Sequence, residues 1–175
     1  KRRNKNIKNV LVGLPISYQD SNDILKIVKK FFEKYQQKNL KFFLNYHPML
    51  DFKKLIEENK SLYKKINLIN GPFSQIHKNF DCVISNSSSL CLEALALSIP
   101  VIIVKNSSGL TQNPISIIKE NTWKLISNPD ELKKAINLLL FVKKKSVFLK
   151  NSKKIKDNYF TMVNSKTVKK FLEFK

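Results

Sequence analysis

Residues Asp81–Val104 read DCVISNSSSLCLEALALSIPVIIV. Cys82–Ser85 is a short apolar run of the kind that forms a buried strand. Leu90–Leu97 is built from strong helix formers, and Pro100–Val104 returns to β-branched residues. Neither apolar run alternates with polar residues, so both strands are expected to be covered on both faces, as in a parallel sheet with crossover helices. Two features do not serve packing. Three serines, Ser87, Ser88 and Ser89, separate strand from helix, and one carboxylate, Glu93, sits in an otherwise apolar helix.

The same alternation extends to either side. Ile7–Pro15 predicts a buried strand, Ser21 or Asn22 a cap for a helix over Ile24–Tyr35, and Leu40–Tyr46 a second strand ended by His47-Pro48. A helix over Phe52–Lys60, a strand over Ile66–Asn70 and a helical turn or two over Phe73–Phe80 complete the first half. Beyond Val104, Thr122–Ile126 predicts a sixth strand, and Pro129 starts a helix to Phe141 at its first-turn position. The expected fold is α/β, a Rossmann-like doubly wound parallel sheet of about six strands over residues 1–142. A lysine-rich helix or helix pair, Lys143–Lys175, interrupted near Asn164-Ser165, is expected to pack on it as a tail.

At 175 residues with 42% apolar composition, the chain suits one domain with a full core. It starts with Lys1 rather than methionine, so a piece of a longer protein, with a partner domain, is expected. The formal charge is +20, yet all of the 33 basic residues except Arg2 and Arg3 are lysine. Base-edge readout favours arginine, so nucleic acid ranks below a solvated lysine surface and below anionic lipid headgroups. Cys82 and Cys91 lie among apolar neighbours and suit buried thiols in a reducing, cytoplasmic compartment. With His47 and His77 they match no zinc spacing, and no apolar run is long enough to span a membrane. Walker A, GxGxxG and GxSxG motifs are all absent.

In a doubly wound sheet, ligands bind where strands end and the following helices begin. Ser87, Ser88 and Ser89 occupy such a place. A helix start offers unpaired N–H groups and the positive end of a dipole, and serine hydroxyls add donors, a combination that suits phosphate. One serine as an N-cap accounts for one residue of the three. Glu93 lies about 6 Å along the helix from Ser89, the reach from a phosphate to ribose hydroxyls; the alternative is a surface carboxylate. His47 ends the second strand and could donate to a phosphate or a leaving oxygen, or be structural. Asn106, Ser107, Ser108 and Gly109, after the fifth strand, could line a sugar pocket or merely turn the chain. Ser17, Tyr18 and Asp20 are weaker candidates at the same edge, and His77 reads as a packing or surface residue.

The pairing of His47-Pro48 with SNSSSLCLEALALSIP in this order resembles the C-terminal, donor-binding half of GT-B glycosyltransferases, with the bacterial sialyltransferase and capsule-polysaccharide group nearest in flavour. The resemblance spans roughly Val10–Leu140. It implies that His47 contacts the donor's phosphate and acts in catalysis, that Ser87, Ser88 and Ser89 bind phosphate, and that Glu93 holds the ribose. It also implies a CMP- or UDP-linked sugar donor as substrate, no metal and no other cofactor, inverting transfer, and a separate N-terminal half that holds the acceptor and the catalytic base. The non-hydrolysing UDP-N-acetylglucosamine 2-epimerases share the layout, with DSGG where this chain has Asn86–Ser89; their Thr-Glu-Arg-Pro-Glu segment is replaced by NSSGLTQNP. A third reading is a basic module for membrane or polyanions with a vestigial nucleotide site.

Overall fold

A computed structural model of the chain describes residues 7–36, 38–86, 88–107, 115, 122–142, 145–160, 165 and 167–169. Six parallel strands form one sheet: β1 (Lys8–Leu14), β2 (Leu40–Tyr46), β3 (Asn67–Leu68), β4 (Cys82–Ser85), β5 (Val101–Val104) and β6 (Trp123–Ile126). Their spatial order is β3-β2-β1-β4-β5-β6. Between them run α1 (Tyr18–Lys34), α2 (Phe52–Glu58), α3 (Lys60–Tyr63), α4 (Phe73–Ile76) and α5 (Ser89–Ala96), and after β6 come α6 (Pro129–Asn137) and α7 (Lys145–Tyr159).

Successive strand residues point to opposite faces, and both faces are buried. Val10, Val12, Cys82, Ile84, Ile102 and Val104 join one cluster with Ile24, Leu25 and Val28 of α1 and Leu132 and Ile136 of α6. Their neighbours Leu11, Val83, Val101 and Ile103 join a second cluster with Cys91, Ala94 and Leu95 of α5. Each such side chain contributes about 1.5–3 kcal/mol by leaving water, which is why strands without polar alternation are stable only in this sandwich. Burial pushes the Cys82 thiol up and holds that of Cys91 at about 11, so both stay protonated near neutrality.

The element boundaries differ from expectation where short polar residues compete for the same role. α1 begins at Tyr18, capped by Ser17, whose hydroxyl accepts the Asp20 N–H at 3.3 Å. Ser21, one expected cap, lies inside the first turn, buried, and donates to the Pro15 carbonyl at 2.9 Å. The helix expected over Phe52–Lys60 breaks at Asn59, a buried residue whose amide donates to the Leu55 carbonyl at 3.0 Å. β3 is two residues long, because only Asn67 and Leu68 reach the exposed edge of the sheet to pair with β2. α6 ends at Asn137 and continues as a π-turn, Leu138–Val142.

In the tail, α7 turns Phe148, Ser152 and Ile155 inward at helical spacing and packs on α5. The break expected near Asn164-Ser165 falls largely outside the described residues. Among the described residues no helix is long and apolar enough to cross a membrane.

Candidate functional site

The strand order reverses between β1 and β4, which are neighbours while their chains leave in opposite directions. A crevice of about 680 Å³ opens at the carboxyl ends of these strands. Its walls come from four turns: Gly13–Pro15 after β1, Asn45–Pro48 after β2, Asn70–Pro72 after β3, and Ser85 with Ser88–Leu90 between β4 and α5.

Gly13 is required by close approach. A β carbon there would lie 2.2 Å from Leu90 Cδ2, so the absence of a side chain lets the start of α5 sit on the end of β1. The buried Ser85 hydroxyl then donates to the Gly13 carbonyl at 2.8 Å. Ser85 Oγ also lies 3.3 Å from Ser88 Oγ. A hydroxyl has one proton, and that of Ser85 is used on Gly13, so Ser88 donates to Ser85.

Ser88 is the N-cap residue of α5 by position, in extended conformation, but its side chain makes no capping bond to the first turn. The Ser88 carbonyl accepts the Cys91 N–H at 3.0 Å, and its side chain leaves the Ser89 and Leu90 amides of the first turn without a cap from Ser88. Ser89 opens the helix and is exposed. Ser87 lies outside the described residues.

His47 is exposed on the crevice wall. Its backbone N–H donates to the Leu14 carbonyl at 3.0 Å, which ties the end of β2's turn to the end of β1. The Met49 N–H donates to His47 Nδ1 at 3.2 Å. A neutral imidazole held this way carries its proton on Nε2, which is left as a donor.

Glu93 is half-buried one turn along α5 from Ser89, on the same side of the helix, and its carboxylate makes no hydrogen bond or ion pair with a described residue. It does not line the crevice. Nor do Asn106 and Ser107. The Ser107 N–H donates to the buried Asp23 carboxylate at 2.7 Å, and Gln19 Nε2 bridges Ser107 Oγ (3.0 Å) and Asp23 Oδ1 (3.1 Å). This holds Ser107 against the first turns of α1. Ser108 and Gly109 lie outside the described residues. Ser17 caps α1, as described, and Asp20 donates its N–H to that cap. Burial raises the Tyr18 phenol to about 12.

Sequence reasoning missed Ser85, Gly13 and Asp23. A serine closing an apolar strand was the available signal for Ser85; nothing in the sequence near Asp23 pointed to Ser107. Among the described residues no cluster of His, Cys, Asp or Glu could hold a metal ion.

No protein-family profile matches the chain. No curated protein is recognisably similar to it. Solved structures are similar in fold. The C-terminal domain of a group 1 glycosyl transferase, LpcC, from Francisella tularensis superposes with a TM-score of 0.60 at 18% identity, over 89% of this chain and 87% of that one. The fold is that of a GT-B C-terminal domain. The catalytic domain of cholesterol-α-glucosyltransferase from Helicobacter pylori matches the chain with a TM-score of 0.60 at 17% identity, over 86% of this chain and 99% of that one. UDP-GlcNAc 2-epimerase from Methanocaldococcus jannaschii, solved with UDP-GlcNAc and UDP, reaches 0.56 at 18% identity, over 80% of this chain. The matched region is only 40% of that epimerase's length.

Proposed function

We propose that this chain binds the nucleotide of a sugar donor and forms the donor half of a metal-independent, inverting glycosyltransferase of surface-polysaccharide assembly, working in the cytoplasm. The observation that carries the proposal is the start of α5, where the Ser88 side chain makes no capping bond and which shares one crevice with His47 at the switch point of the sheet. Breaking a glycosidic bond to phosphate builds negative charge on the leaving oxygens. The amides of the first turn of α5, the hydroxyls of Ser88 and Ser89 and the Nε2 proton of His47 are donors of the right kind for that charge. Ser88 exchanges its long contact with Ser85 for the phosphate, while Ser85 stays bonded to Gly13 and keeps the helix start in place. Ser87 belongs to the same phosphate turn by sequence. Glu93, one turn further along, takes the ribose hydroxyls. A second half of the protein supplies the acceptor and the base.

Between the two donor classes, UDP is preferred to CMP, because several structures of this fold carry UDP or UDP-GlcNAc. The same observation supports a second reading, an epimerase acting on a UDP-sugar. Calorimetric titration with UDP, CMP, CDP and GDP tests the site. Binding of one nucleotide, weakened about tenfold or more by Ser88→Ala and by His47→Ala, is expected. Absence of binding to a folded sample, or binding indifferent to both substitutions, would refute the site. In the intact protein, transfer to an acceptor against inversion within UDP-GlcNAc, followed by proton NMR, separates transferase from epimerase.

A further inference from the structure

A second groove, of about 660 Å³, lies at the opposite edge of the sheet, where the strands begin. Its floor is apolar: Phe80 before β4, Leu97, Ile99 and Pro100 in the α5–β5 turn, Leu139 after α6, and Phe148 of α7. Large apolar side chains of the segments that line it remain in water. Leu97, on its wall, is 39% exposed. Phe141 and Val142, which follow the lining residues Leu139 and Leu140, are 49% and 69% exposed, and Leu149, next to Phe148, is 55% exposed. A soluble surface rarely gathers several such side chains around a groove unless something covers them.

The charge around them indicates what does. Lys8 and Lys78 line the groove, and the outer side of α7 carries the exposed Lys150, Lys153, Lys154 and Lys156. Among the described residues, the groove lining and α7 carry two carboxylates. Asp81 lies in the groove, accepting the Asn9 N–H at 2.8 Å, and Asp157 is exposed on α7. The balance stays strongly cationic, and it is made of lysine rather than arginine. Apolar side chains ringed by lysines are the composition of a helix face that lies in a lipid interface, with aliphatic groups below the headgroups and ammonium groups among them. Base readout by a basic surface favours arginine, which the described residues of this face do not carry.

We propose that this groove, with Phe141, Val142 and Leu149 beside it, docks on an anionic lipid surface. The proposal does not depend on the nucleotide site, which opens at the other edge of the sheet and stays free when this edge is docked. It selects the lipid interface over the other basic-module readings, and it selects a particular edge of the domain to meet the lipid.

The test is sedimentation with vesicles of phosphatidylcholine alone or with about one third phosphatidylglycerol. Expected is binding to the anionic vesicles only, weakened by raising salt from 0.1 to 0.5 M, which shortens the screening length. The triple variant Phe141→Ser, Val142→Ser, Leu149→Ser removes only exposed apolar groups and keeps the charge. It is expected to lose about tenfold or more in partitioning while its circular dichroism is unchanged. A second measurement reads orientation. A polarity-sensitive fluorophore on Val142→Cys shifts to the blue on anionic vesicles, and the same label on Lys53→Cys, at the start of α2, does not; Cys82 and Cys91 are buried and escape labelling. No binding by the folded chain overturns the proposal. So does binding that the triple variant retains in full, which would reduce the effect to net charge, and so does an equal shift from both labels. Stronger retention on heparin or single-stranded DNA than on the vesicles also overturns it, in favour of a polyanion partner.

Discussion

Replacing Gly13 by alanine tests how the crevice is built. The added β carbon would lie 2.2 Å from Leu90 Cδ2, whereas Leu90 Cγ and Ser85 Oγ would both stand 3.7 Å away. Carbon atoms in ordinary contact are about 3.5–4.0 Å apart, so the tip of Leu90 must retreat by about 1.5 Å. The helix backbone cannot follow freely, because Cys91, Ala94 and Leu95 anchor it in the core. Leu90 therefore leaves its rotamer, at a cost of about 2 kcal/mol. Alanine returns about 0.7 kcal/mol by restricting the unfolded chain, which leaves a net loss of about 1 kcal/mol. For a chain of this size the melting temperature falls by about 2–4 °C. Leu90→Ala removes the obstructing atoms, so in the double variant the alanine at position 13 is tolerated and the two changes couple favourably by about 2 kcal/mol. Urea unfolding followed by the fluorescence of the buried Trp123 measures all four corners of this cycle. Additive effects, with a coupling below about 0.5 kcal/mol, would refute the close approach of β1 to the start of α5.

Two further outcomes are expected. Ser98 follows α5 with a φ of 63°, and the bonds from Ser98 N–H to Leu95 O (3.0 Å) and from Ile99 N–H to Ala94 O (2.9 Å) close the helix in a Schellman motif. Ser98→Gly keeps those bonds without left-handed strain and should stabilise the chain by about 1 kcal/mol, measured by the same urea titration; no gain would mean that the turn does not require that conformation. At the start of α6, Lys34 and then Tyr35 hold the Asp130 carboxyl below its ordinary value of 3.8, and the Ser127 N–H holds Glu131 below its ordinary 4.5. Their folded values are depressed, so the stabilisation is present above the unfolded values and is lost as pH falls through the folded ones. The melting temperature should drop more steeply below about pH 4.5 in the parent than in Asp130→Asn or Glu131→Gln, and equal slopes would count against both contacts.

The two-faced burial of the sheet was legible because it is a property of consecutive residues. Val10, Leu11 and Val12 are all apolar, and a strand that shows no polar alternation has two covered faces whichever helices do the covering. The serine turn was legible for a similar reason, since its position between a strand and a helix is local. Where the reading slipped, several residues offered the same chemistry. Ser17 and Ser21 are both competent caps, and the choice fell to Ser17 because Ser21 is drawn inward to the Pro15 carbonyl.

The sequence by itself determined the class of the fold, the number of strands and the presence of a small polar turn opposite His47-Pro48, because hydrophobic period and turn chemistry act over a few residues. Only the tertiary structure decided the use of those parts. It directed the Ser85 hydroxyl to Gly13, so that the Ser88 hydroxyl meets Ser85 and makes no capping bond to its own helix. It also bound Ser107 to Asp23, 84 residues earlier in the chain. Such pairings depend on which strands become neighbours. Strand order is set by how the whole chain closes around its two cores, and no local pattern carries that information.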